Sequence, residues 1–268
     1  MDIFHLLSYG FIQRAFIAGS FIGVTCASLG MFLVLRKMSL IGDGLSHVSF
    51  GAIALGLFLG VYPFLIAVPV AILGSLLILK ISEKAKVYGD AAIGIVSAVG
   101  IAGGVILASI SRGFNTDLFG YLFGNILAIT NLEVVFSVAL SITVLGVIFY
   151  YYWDLFSATF DEEYARTTGI NTSFINIILT VLTAVTVVLT VKMVGVMLVS
   201  ALLVLPAVSA LQIAQGFRKG IGYAVIISCV SVIAGILLSF VFDLPTGAII
   251  VMISFLAFIL ASLRKRFT

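Results

Sequence analysis

Within the stretch SLIGDGLSHVSFGAIALG, residues 39–56, an aspartate and a histidine stand four residues apart among glycines, serines and aliphatic side chains. Side chains at i and i+4 share a helix face, so Asp43 and His47 would present a carboxylate oxygen and an imidazole nitrogen side by side. That mixed donor set suits a borderline divalent ion such as Zn²⁺ or Mn²⁺. The same spacing equally suits a plain aspartate–histidine hydrogen bond that makes both groups tolerable in apolar surroundings. Two donors do not complete a tetrahedral shell, which takes four. A symmetric dimer meeting on this helix would bring a second pair and fill it. Imidazole binds metal in its neutral form, so acidification below a free histidine's pKa of about 6.5 would weaken such a site.

The surroundings make the pair unusual. Of the 268 residues, 62% are hydrophobic and 9% charged, against about 25% charged in an ordinary soluble domain. Apolar runs long enough to cross a hydrocarbon core of ~30 Å as helices recur along the chain, and they lack the alternation of a membrane barrel. The expected fold is all-α, a polytopic transmembrane bundle of eight to nine spans forming a single domain over 1–268. Spans are placed near 15–35, 43–59, 61–80, 91–111, 131–152, 172–190, 193–213, 221–241 and 246–263. Helix rise counted from Lys37 at the membrane edge puts His47 about 15 Å in, near the midplane, and Asp43 about 6 Å nearer the edge. A carboxylate at that depth costs several kcal/mol unless it faces a partner or a polar path.

Basic residues set the expected sidedness. With the N-terminus outside and the C-terminus inside, Arg36, Lys37, Lys80, Lys84, Lys86, Arg166, Arg218, Lys219, Arg264, Lys265 and Arg266 are cytoplasmic. Arg14, Arg112 and Lys192 remain outside, the last in a short turn at the headgroups. The first residues, with Asp2, His5 and Arg14, do not read as a cleavable signal peptide. Cys26 and Cys229 fall within spans, where packing is the expected role.

Between the spans, RGFNTDLFGYLFGNILAIT (112–130) is too aromatic and glycine-rich for a hydrophilic loop and is expected to fold back on the outer end of the bundle. Asp117, Asn125 and Glu133 flank it, and either line an outer entrance or are simply solvated. The longest polar connection, WDLFSATFDEEYARTTGINT (153–172), is expected in the cytoplasm with a short helix opened by Asp161 and stopped at Gly169. Glycines spaced by four, such as Gly19 with Gly23 and Gly100 with Gly104, allow helices to approach closely. Pro206 is expected to kink its span.

Several blocks together carry a resemblance: FLVLRKMSLIGDGLSHVSFGAIALG, GDAAIGI, DLFGYLFGNILAIT, FDEEYARTTGI and VGVMLVSALLVLPAVSA. In content and order, from residue 32 to about 210, the chain resembles the membrane subunits of zinc- and manganese-type ABC metal importers. The resemblance implies a homodimeric permease in the cytoplasmic membrane of a bacterium or archaeon. It also implies two cytoplasmic ATPase subunits, an extracytoplasmic metal-binding protein, and no tightly bound cofactor beside the transported ion. It places Asp43 and His47 on the translocation path as metal ligands. It makes Phe160, Asp161, Glu162, Glu163, Ala165 and Gly169 the ATPase-docking segment, and it leans toward zinc over manganese.

The residues agree with a chain that is not itself an enzyme. No Gly-Lys pair occurs, so a phosphate-cradling GxxxxGK[ST] loop is absent and ATP hydrolysis would fall to a partner. An intramembrane metal hydrolase is disfavoured because HExxH is absent and no second acid stands mid-span. A proton-coupled secondary cation transporter, with Asp43 as proton carrier and no ATPase, is the alternative that the spans and the buried carboxylate also allow.

Overall fold

In lipid the backbone must satisfy its own polar groups, and a helix does so within one segment. The computed structural model, which describes residues 9–84, 89–110, 120, 122–124 and 126–267, shows helices and connections with no strand among those residues. Asp117, Asn125 and His5 lie outside the described residues. In chain order the helices are α1 Gly10–Leu35, α2 Ile41–Phe58, α3 Pro63–Lys84, α4 Gly89–Ile110, α5 Asn131–Tyr150, α6 Tyr152–Phe160, α7 Glu162–Thr167, α8 Thr172–Val194, α9 Val199–Ile213, α10 Phe217–Phe242 and α11 Thr246–Phe267.

Eight of these are long and apolar enough to cross a membrane. The span expected at 193–213 is shorter than anticipated. Lys192, read as part of a turn, instead lies in the last turn of α8, where the helix dipole favours a cation. The break comes at Gly195 and a 3₁₀ turn, Val196–Leu198, so α9 keeps only 15 residues, or about 22 Å. Pro206 sits inside α9; the interruption of the chain is at Gly195. Tyr152–Phe160 forms its own helix after a break at Tyr151, where one span was expected to run on to 152.

Burial sorts the spans into two classes. The apolar windows of α1, α2 and α8 are 72%, 67% and 72% buried within one chain, whereas the other five are 22–33% buried. Glycine permits the central contacts. Gly19 and Gly23 of α1 abut Val232 and Ser228 of α10, and a Cβ on Gly51 of α2 would stand 2.4 Å from the carbonyl oxygen of Gly100 in α4. Gly44 on Ile93 and Gly51 on Gly100 run α2 parallel to α4, and Gly56 on Pro63 with Val48 on Gly74 run it antiparallel to α3.

At the end of the bundle that holds Arg14, the described part of the 112–130 region does fold back on the helices. Gly124 and Gly195, at φ of 72° and 89°, meet backbone to backbone, and a side chain on either would collide with main-chain atoms of the other's segment. Ile126 is fully buried and reaches Gly19.

Candidate functional site

The aspartate and histidine are carried by α2, which begins at Ile41 after a turn over 36–40 and not at Lys37, where the depth count started. The helix start is nonetheless set into the bundle. Val48, next to His47, packs on Gly74 and Gly100, each halfway along a 22-residue helix. The histidine therefore lies near mid-depth of α3 and α4, and Asp43 one turn nearer the Arg36 end.

Along α2 from Ile41 to Gly56, Asp43, His47, Gly51 and Leu55 are the residues not buried. At i, i+4, i+8 and i+12 they form a single open stripe on an otherwise enclosed helix. The pair is loose. His47 Nε2 and Asp43 Oδ2 are 3.8 Å apart, and the side chains are 22% and 50% exposed. That separation is too long for a hydrogen bond, so the tolerating bond that the spacing allowed is not made. His47 Nδ1 is buried with no hydrogen-bond partner. No group of three or more His, Cys, Asp or Glu converges among the described residues, which bring two donors together here, short of the four that a tetrahedral ion takes.

Nearby hydroxyls differ in their freedom. Thr180, Thr183, Thr186 and Thr190 of α8 each donate to the carbonyl four residues back, which occupies their protons locally. Ser200 is different: its Oγ is buried without a partner, and it lies beside Gly42, one residue from Asp43. Sequence reasoning passed over Ser200, because a serine in an apolar run carries no sign of whether its hydroxyl is satisfied.

Glu133 corrects an expectation. It is 5% exposed and so is not solvated. Its Oε2 accepts from the backbone N–H and hydroxyl of Thr130, and Thr130 Oγ1 accepts from the Glu133 N–H, a capping box that starts α5. Its Oε1 lies 3.3 Å from Lys192 Nζ. Both carboxylate oxygens are thereby occupied.

At the opposite end, the 153–172 segment folds as α6 and α7. Asp161 caps α7 by accepting from the Tyr164 N–H at 2.8 Å, and Gly169 ends the turn at φ 91°. Phe160, Asp161, Glu162 and Glu163 are exposed, whereas Ala165 is fully buried and anchors the short helix. Arg36, at the end of α1, ties this segment to the bundle. Its guanidinium donates to the Ala158 carbonyl at 2.8 Å and to Asn176 Oδ1 on α8, and Asn176 Nδ2 donates to Glu162 at 3.4 Å. Burial lowers the Arg36 pKa below its ordinary value and the Glu162 charge pushes it back up. In the sequence Arg36 counts only as a basic residue at a span end, because its partners are more than a hundred residues away.

Comparison with known proteins agrees with this layout. A model described as the ABC 3 transport family matches residues 8–265. The chain is 33% identical over 258 residues to the manganese transport system membrane protein MntC of Listeria innocua, covering 96% of this chain and 92% of that protein. It is 34% identical over 252 residues to the high-affinity zinc uptake system membrane protein ZnuB of Haemophilus influenzae, covering 94% and 96%. Among solved structures, PsaBC from Streptococcus pneumoniae in complex with Fab superposes with a TM-score of 0.87 at 30% identity, covering 97% of this chain and 93% of that one. A putative metal-chelate type ABC transporter in an inward-facing conformation gives 0.77 at 14% identity over 94% and 85%, a likeness of fold.

Proposed function

This chain belongs to the ABC 3 transport family, a multi-pass membrane permease of an ABC metal importer, and from that premise we propose that it moves a divalent transition metal inward, zinc ahead of manganese. The observation that carries the reading is the unfilled coordination of the pair. His47 Nδ1 is buried without a partner, Nε2 stands off from Asp43, and both residues lie on the one open stripe of a central helix. Relatives named for manganese and for zinc both exist; one imidazole with one carboxylate per chain suits either ion, and zinc stands first on the resemblance of SHVSFGAIALG to the zinc-type members.

In this reading a second copy of the chain faces the stripe, so that two Asp43–His47 pairs surround the conduit. An extracytoplasmic binding protein delivers the ion at the Arg14 end. Cytoplasmic ATPase subunits seat on Phe160, Asp161, Glu162 and Glu163 at the other, and Ala165 and Gly169 hold the shape of that segment. The basic residues support the orientation, N-terminus outside and C-terminus inside, by crowding the Arg36 end. A push on α6 and α7 passes through Arg36 and Asn176 to α1 and α8, two of the three most buried spans, and from there to α2. The site then alternates its access, and its donors hold the ion weakly enough to release it.

The test is uptake by the permease reconstituted with its ATPase and binding protein. Zinc entry should require ATP, outcompete manganese and disappear in His47→Ala. Metal entry driven by a proton gradient, without ATPase or ATP, would instead establish the secondary-transporter alternative.

A further inference from the structure

Away from the metal path, α5, α10 and the start of α6 enclose a groove of about 810 Å³ on the side of α1. Leu145, Ile148, Phe149 and Ile221 give it apolar walls, and Ser28 of α1 forms part of its lining. From Leu145 to Phe149 it extends about 6 Å along α5, and Tyr152 and Trp153 of α6 continue its wall. At its Arg36 end sit Tyr152, Trp153 and Arg218. The guanidinium of Arg218 lies 4.9 Å from the Trp153 ring centroid and 5.6 Å from that of Tyr152. No carboxylate or carbonyl among the described residues takes its N–H groups, and the neighbouring Lys219 is exposed as well.

We propose that this groove is a binding site for an anionic phospholipid, with an acyl chain between α5 and α10 and the phosphate on Arg218. Charge complementarity identifies the occupant. An apolar slot that opens at one end onto a guanidinium over two rings, with no acceptor among the described residues, matches a molecule with a long apolar tail and a phosphate head. Arginine's planar fork binds phosphate oxygens in pairs, and stacking on two rings fixes it before the ligand arrives. Aromatic residues at the same level mark the headgroup region. The site also touches the docking segment, because Tyr152 and Trp153 open α6 and continue through Phe156 to Phe160, with ring centroids 6.3 and 4.7 Å apart.

Trp153 is the single tryptophan of the chain, so it reports from the site directly. The full chain, purified in a zwitterionic detergent, is titrated with phosphatidylglycerol or phosphatidylcholine carrying brominated acyl chains, which quench tryptophan on contact. Half-maximal quenching by the anionic lipid should come at about fivefold lower mole fraction. That preference should vanish in Arg218→Gln, weaken in Arg218→Lys, which keeps the charge but loses the fork, and shrink at high salt in the unaltered chain, a readout independent of any variant. Inorganic phosphate at the lipid's concentration should not relieve the quenching, since it lacks the acyl chain. Equal quenching by the two lipids, an unchanged preference in a folded Arg218→Gln chain, or displacement by phosphate would each overturn the proposal.

Discussion

Two acid–base pairs sit among the apolar helices, Glu133 with Lys192 and Asp43 with His47, and they are built in opposite ways. Glu133 is 5% exposed and every oxygen is engaged, one by Lys192 at 3.3 Å and the other by Thr130. Asp43 and His47 stand 3.8 Å apart, more open, with a buried ring nitrogen that bonds nothing. A buried polar group left unpaired costs about 1–3 kcal/mol, so the loose pair lacks the satisfaction that Glu133 and Lys192 have. The comparison separates a closed structural clasp from the open pair that we propose holds the passing ion. It also shows why polar residues in a membrane chain should be weighed by what their atoms still lack.

The strongest way to break this contrast is to remove the open pair. Asp43→Ala and His47→Ala should each lower ATP-dependent zinc uptake at least ~100-fold, while yield and thermal unfolding in detergent stay near those of the unaltered chain. Uptake at normal rates in both variants would erase the distinction. The closed pair should respond the other way. Lys192→Met strands a buried carboxylate and should cost about 3–5 kcal/mol in an unfolding assay, and adding Glu133→Gln should recover most of it. A loss below ~1 kcal/mol from Lys192→Met would mean that the pair is solvated after all.

Two smaller effects sharpen the picture at the α6–α7 end, where we propose that the ATPase seats. Glu163→Lys reverses an exposed charge, so stability should shift by no more than about 0.5 kcal/mol, whereas affinity for the ATPase, measured by co-purification and titration, should fall about tenfold. Arg166→Ala breaks a pair that is 70% and 46% exposed at 3.5 Å. It should change stability by less than about 0.5 kcal/mol, which sets the floor against which the Lys192 variant is read.

Much of the architecture could be read directly. Continuous apolar runs have one solution in lipid, and the α7 helix follows from the cap residue Asp161 and the turn glycine Gly169, both local signals. The errors fell where a charge was read alone. Lys192 looked like a turn residue because a lone lysine in a membrane helix is costly, and the carboxylate that offsets it comes from Glu133, far off in the chain. Likewise Glu133 looked solvated because its capping partner is visible in sequence but its burial is not. Arg36 signalled only a span end, and Ser200 carried no signal at all.

Sequence alone determined the helices, the approximate depth of the Asp43–His47 pair and the shared face that spacing of four imposes, because these depend on helix rise and on the cost of charge in hydrocarbon. Only the tertiary structure decided which polar atoms are satisfied. Satisfaction depends on angstrom-scale distances between residues remote in the chain: it closed Glu133 on Lys192, left His47 Nδ1 unmet, and stacked Arg218 on two rings at the mouth of an apolar groove.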